Sequence, residues 1–138
     1  MTTTISVLPE IVDLVIERGD DAPFTLTAFS PTGGPMNFAG CVVWWTLKDP
    51  NDVAIDDAEA VAQYVWRDGG QSSANIVIAN LASGIVALNV PKALTLTLKT
   101  GGSDVYRHDL QIKDAGGRET TVVQGSLTVK RDVTISST

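Results

Sequence analysis

Hydrophobic and polar residues alternate most regularly near the C-terminal end of the chain, over residues 104–134. The first half of this stretch places four residues on one side, which are Tyr106, His108, Leu110 and Ile112. A period of two is what a strand with one buried face requires. Residues 114–117, with sequence DAGG, supply a turn, because glycine accepts the positive φ angles of tight connections. The second half alternates again, so the stretch predicts a β-hairpin.

The same alternation predicts further short strands along the chain. They cover residues 11–17, 22–29, 41–49, 60–66, 76–79 and 85–90. Gly-Gly pairs lie between the apolar segments, at 33–34, 69–70, 101–102 and 116–117. About seven to nine short strands at turn spacing predict an all-β fold, an Ig-like antiparallel β-sandwich.

Two segments do not fit this pattern of strands. Residues 91–98 carry alternating leucines, but Pro91 is suited to the first position of a helix, so we predict a short helical crossover there. Residues 53–60 are compatible with a strand, a loop or a helical turn.

The length of 138 residues predicts one domain, residues 11–135, preceded by an N-terminal arm or edge strand at residues 1–10. No basic region followed by an apolar run begins the chain, so we expect no signal peptide and synthesis in a cytoplasm. No stretch approaches the roughly 20 apolar residues that span a bilayer. The formal charge of −6 and the pI near 4.5 argue against nucleic acid and anionic membranes as partners.

The sequence contains no motif for catalysis or cofactor binding, so we predict a protein that is not an enzyme and has no cofactor. One histidine and one cysteine are too few for a zinc site. We expect Cys41 to be a small buried hydrophobe and His108 to be a hydrogen-bonded core or boundary residue. Residues 49–59 are rich in acids and favour a solvated loop, with a calcium site as the alternative.

The aromatic residues give the best candidates for an interaction. Trp44 and Trp45 are consecutive, so in a strand they point to opposite faces. We expect Trp45 in the core. Trp44 is then a candidate interface residue, together with Trp66 and Tyr64, because exposed tryptophan is enriched at binding hot spots. Two alternatives remain for Trp44: it is covered by the N-terminal arm or by residues 53–66, or it stacks on a sugar.

Taken together, the strands and turns resemble the Ig-like N-terminal domain of phage baseplate upper proteins and related tail-associated modules. The resemblance covers residues 11–134 and rests on five quoted segments: RGDD followed by PFTLTAF at 18–29, CVVWWTLKDP at 41–50, SGIVALNV at 83–90, VYRHDLQIKD at 105–114 and GSLTV at 125–129.

The resemblance implies a structural component of a bacteriophage virion, in the tail, baseplate or neck, without catalytic activity. Its expected partners are other virion proteins and a second copy of itself, and the N-terminal arm could add a strand to a neighbour's sheet. Trp45, Tyr106 and Gly125 are expected to support the fold, with Tyr106 making the corner hydrogen bond of Ig-like sandwiches. The alternative function is a carbohydrate-binding module that uses Trp44, Trp66 and Tyr64 as a stacking platform.

Overall fold

A computed structural model describes residues 10–30, 33–49, 61–98 and 105–130. These residues confirm the all-β prediction and the helical crossover. The strands are β1 (Glu10–Ile11), β2 (Leu14–Glu17), β3 (Ala22–Thr27), β4 (Val42–Lys48), β5 (Ala62–Arg67), β6 (Ile76–Val77), β7 (Ile85–Val90), β8 (Val105–Lys113) and β9 (Glu119–Lys130). The one helix of the described segments, α1, spans Lys92–Thr95.

The strands form two sheets that pack as a sandwich. The larger sheet has the order β1-β9-β8-β4-β5, and β2 continues β1 along the same edge of β9. The smaller sheet has the order β3-β7-β6. The predicted antiparallel arrangement needs one correction: β1 and β2 run parallel to β9, which makes the larger sheet mixed.

The inward positions of both sheets form one hydrophobic core. The alternation predicted for residues 104–134 is confirmed over the described residues 105–130, because β8 and β9 pair as an antiparallel hairpin with the predicted inward residues buried. Trp45 and Leu47 of β4 are fully buried, and Val86 and Leu88 of β7 meet them from the other sheet's inward face. Burial of these side chains is the main favourable contribution to folding.

Strict alternation fails at one point of β9. The pairing shifts by one residue between Leu110 and Gln111 of β8, which leaves Val122 as an extra residue in β9. Val122 and Val123 are consecutive and both are buried. A β-bulge explains this, since two residues of one strand then oppose a single residue of the partner.

The crossover helix α1 is fastened to the turn after β2. The hydroxyl of Thr95, which is fully buried, donates to the Asp20 carbonyl over 2.9 Å and accepts from the Gly19 amide over 3.1 Å. The Lys92 amide donates to the Asp21 carboxylate over 2.7 Å. This turn therefore closes β2 and also anchors the crossover between the sheets.

The edge of the larger sheet at β5 is covered by the segment that follows it. The Val65 amide donates to the Ser73 hydroxyl over 3.0 Å, and the Ser73 amide donates to the Val65 carbonyl over 2.7 Å. The Arg67 amide donates to the Ser72 hydroxyl over 2.9 Å. Three outward-facing backbone groups of β5 are thus satisfied within the chain.

Several predictions fall outside the described residues: the arm at 1–9, the ambiguous segment 53–60, the Gly-Gly pair at 101–102 and the end of the domain at 131–135. Among the residues that the structure describes, no helix has the length and apolar character needed to cross a membrane.

Candidate functional site

The four aromatic candidates do not share one surface. Trp45 is fully buried, which confirms its predicted place in the core. Tyr64 pairs with Trp45 across the strands and stacks on it, with ring centroids 5.6 Å apart. Trp66 lies on the same inward face and meets Phe38 edge-on at 6.4 Å. Tyr64 and Trp66 therefore pack against the core, each only partly exposed.

Trp44 lies on the opposite face of the larger sheet. It pairs with Val65 and Gln111, whose neighbours Tyr64 and Leu110 pair with Trp45. Successive side chains of a strand point to opposite faces, so Trp44 faces away from Tyr64 and Trp66. The predicted stacking platform of three rings is therefore wrong. Trp44 is half-buried, and its interface role stays a prediction.

The most organised polar group of the molecule is a chain of hydrogen bonds that begins at Trp45 and passes through His108. The indole Nε1–H of Trp45 donates to Nδ1 of His108 over 3.2 Å. Nε2 of the same ring lies 2.7 Å from the Val12 carbonyl oxygen. An indole only donates and a carbonyl only accepts, so His108 must be neutral with its hydrogen on Nε2. The expectation of a hydrogen-bonded core histidine is confirmed.

The chain of hydrogen bonds reaches the N-terminal edge between β1 and β2. A regular parallel pairing would let the Ser126 amide donate to the Val12 carbonyl. Here that carbonyl accepts from His108, and the Ser126 amide donates to Oδ1 of Asp13 over 3.0 Å. The Ser126 hydroxyl donates to the same oxygen, also over 3.0 Å. Side chains thus replace both partners of one backbone hydrogen bond.

Gly125 makes this arrangement possible. It pairs with His108, and the Val12 backbone crosses directly over it. A β-carbon at position 125 would collide with the Val12 carbonyl group and lie 3.1 Å from Asp13 Oδ1. The expected fold-supporting role of Gly125 therefore has a specific cause, which is the close approach of two backbones.

The pKa values of this group reflect its surroundings. Burial lowers the pKa of His108, while the hydrogen bond to Val12 and the Asp13 carboxylate act in the opposite direction. The hydrogen bonds from the Ser126 amide and hydroxyl lower the pKa of Asp13. His108 is therefore held neutral and Asp13 is held ionised, each in the form that its hydrogen bonds require.

A hollow of about 410 Å³ opens beside this group on the larger sheet. It is lined by charges of both signs, from Asp13, Lys48, Arg107 and Asp109. Acidic and basic side chains are mixed here, so the hollow has no single preference for an anion or a cation.

The outer surface of the smaller sheet is different in kind. Its residues are small, hydroxyl-bearing or apolar and carry no charge across the described strands β3, β7 and β6, and we call them the uncharged face: Pro23, Thr25, Thr27, Val77, Ala79, Ile85, Ala87 and Asn89. Val77 is 52% exposed and Ile85 is 44% exposed. Two shallow hollows of about 490 and 300 Å³ meet at Val77 and Ala87.

Sequence reasoning did not single out this face. Its signal was present in the outward positions of PFTLT and IVALNV, which hold threonine, alanine and isoleucine in place of the usual charged residues. Recognising one surface also required the knowledge that β3, β7 and β6 are neighbours, which only the topology supplies.

Among the described residues, the remaining candidate residues have structural roles. Cys41 is buried as expected, and burial raises the pKa of its thiol. Tyr106 is buried at the start of β8, and its corner hydrogen bond stays a prediction. Of the acidic stretch at 49–59, only Asp49 is described, and the residues that can be placed contain no cluster of three metal-binding side chains.

No protein-family model matches this chain, and no curated protein matches it in sequence.

Proposed function

We propose that the chain is a non-catalytic structural component of a bacteriophage particle, in the tail, baseplate or neck, and that it acts through protein–protein contacts. The phage role rests on the resemblance of the strand segments described above. The contact role is supported by one observation, the uncharged face of the smaller sheet.

The uncharged face has the composition of a contact surface. Charged residues are depleted at the centres of protein interfaces, and an apolar patch of adjoining residues on an exposed sheet marks an interaction site. Val77 and Ile85 supply exposed apolar side chains, and Thr25 and Thr27 supply short hydroxyls with little side-chain entropy to lose.

A second copy of this chain is the partner that we assign to the uncharged face. Each copy carries a formal charge of −6, so two copies carry a net repulsion for each other. The uncharged face is a surface over which they can meet without placing like charges opposite one another. A twofold axis would place the face against itself, as in most homodimers.

Sedimentation velocity at increasing protein concentration tests the self-contact. We expect the wild-type chain to form dimers and the Ala87→Arg variant to remain monomeric, because the arginine would lie at the centre of the face. Gln124→Arg adds the same charge to the exposed surface of the larger sheet and should leave the dimer intact. A wild-type chain that stays monomeric, or equal dimerisation of both variants, would remove the self-contact.

The phage role has its own test. Mass spectrometry of purified particles should detect the chain in stoichiometric amounts with tail, baseplate or neck proteins. Neighbouring reading frames should encode other parts of the particle. Absence of the chain from the particles would contradict the phage role and leave the self-contact to be judged by sedimentation.

A further inference from the structure

The N-terminal edge of the larger sheet depends on the protonation state of one buried side chain. We propose that His108 is a pH-sensitive latch for this edge, and that its protonation loosens β1 and β2 from β9 while the rest of the sandwich stays folded.

The latch follows from the two hydrogen bonds of the ring. Nδ1 must keep a free lone pair to accept from Trp45, and Nε2 must carry the hydrogen that it donates to Val12. Protonation would place a second hydrogen on Nδ1, pointing at the indole N–H. Two donors would then face each other 3.2 Å apart, and the ring must turn or move.

Protonation should loosen only the N-terminal edge, because the ring of His108 holds the Val12 carbonyl of that edge. The Val12 carbonyl is directed at the ring, away from the usual partner on β9, so a displaced His108 leaves that partly buried carbonyl without its hydrogen bond. The parallel pairing on either side is short, with two residues in β1 and four in β2. The central strands β8 and β4 pair over seven residues and do not depend on the ring for their backbone hydrogen bonds.

Charged groups around the ring come from three elements. Asp13, beside β2, favours the protonated ring. The same hollow is also lined by Asp109 and Arg107 of β8 and by Lys48 of β4. From β9 the neighbours of the ring are uncharged, namely Gln124, Gly125 and Ser126.

The sign of the pH dependence follows from burial. Desolvation lowers the pKa of His108 in the folded chain below the value of 6.5 that an exposed histidine has. The unfolded or detached form therefore binds the proton more readily, and docking of the edge is strongest above pH 6.5 and weakens as the pH falls below it. Asp13 does not contribute to this window, because its pKa lies below 3.8.

Hydrogen exchange measured at pH 7.5 and pH 5.0, corrected for intrinsic rates, tests the proposal. We expect protection of the alternate amides that point at β9, those of Val12, Leu14, Ile16 and Arg18, to fall about tenfold, the effect of one pH unit of linked protonation. Protection in β4 and β7 should stay constant. A uniform loss across all strands, or no loss in β1 and β2, would overturn the latch.

Two further measurements keep the result specific to His108. The His108→Gln variant offers a donor and an acceptor without titrating, so the fall in edge protection should disappear. If that variant does not fold, the wild-type chain suffices, because His108 is its only histidine. Its ring ¹⁵N signals should show the Nε2–H form at pH 7.5, and their titration midpoint should coincide with the loss of protection. A persistent fall in His108→Gln, or midpoints that differ, would refute the proposal.

Discussion

The two edges of the larger sheet are covered in different ways. Each edge strand has backbone groups that face outward without a neighbouring strand, and such edges invite unwanted pairing. At β5, the hydroxyls of Ser72 and Ser73 accept from these amides. At the other edge, β1 and β2 cover β9, and the side chains of His108 and Asp13 help to hold them there.

The two edges differ in their response to pH. The serine hydroxyls at β5 do not ionise, so their hydrogen bonds are independent of pH. The N-terminal edge uses a histidine that must be neutral and an aspartate that must be ionised. The cover of β5 is therefore insensitive to pH, whereas the stability of the N-terminal edge depends on pH.

The largest loss of stability should come from Gly125→Ala, which disrupts the N-terminal edge directly. The added methyl group would collide with the Val12 carbonyl group, and neither backbone can move without breaking the pairing of β9. We expect the free energy of unfolding to fall by about 3 kcal/mol, the upper part of the usual range for overpacking. Urea denaturation measures the change, and hydrogen exchange should locate it in β1 and β2.

Gly34→Ala is the matched control for this substitution. An added β-carbon at position 34 meets no atom within 4 Å. Its free energy of unfolding should stay within about 0.5 kcal/mol of wild type. Equal effects of the two substitutions would show that the close approach at Gly125 does not govern the edge.

Trp45→Phe should have the next largest effect on the free energy of unfolding. It also tests whether Trp45, a core residue, acts on the N-terminal edge through His108. The substitution removes the indole N–H that donates to His108 and leaves a cavity beside Tyr64. The expected loss is about 2 kcal/mol, from the cavity and from an unsatisfied buried acceptor. With no donor facing Nδ1, the ring accepts a proton more easily, so the pKa of His108 should rise. An unchanged NMR titration of His108 would argue against the control of its tautomer by Trp45.

Ser73→Ala should have the smallest effect of the three. It removes the hydroxyl that accepts from the Val65 amide, at an edge where water can replace it. We expect a loss of about 1 kcal/mol, the usual net value of one hydrogen bond, with no dependence on pH between 5 and 8. Thermal unfolding across this range measures both quantities. A loss that varied with pH would contradict the contrast between the edges.

Ser126→Ala gives the corresponding comparison at the N-terminal edge. Its hydroxyl is lost, but the Ser126 amide still donates to the same oxygen of Asp13. One of the two hydrogen bonds that lower the pKa of Asp13 disappears, so that pKa should rise toward its ordinary value. An NMR titration of the Asp13 carboxyl tests this, and an unchanged midpoint would contradict the assignment.

Sequence alternation predicted most of the strands because burial of one face imposes a period of two on the residues. It failed at Val122, since a bulge places consecutive residues on the same side and its position depends on the partner strand. Sequence alternation also grouped Trp44 with Tyr64 and Trp66. Alternation within each strand does not show which residues of β4 and β5 lie on the same face of the sheet. The cross-strand register decides that question.

The sequence by itself determined the β class of this protein, the turns and the inward positions such as Trp45 and Leu110, because local chemistry and periodicity encode them. Only the tertiary structure decided that Gly125 must be glycine, that His108 must be neutral and that the outward positions of three strands make one uncharged face. The physical reason is distance along the chain. His108 and Val12 are 96 residues apart in sequence, and their contact exists only because β1 and β2 pair in parallel with β9, beside β8.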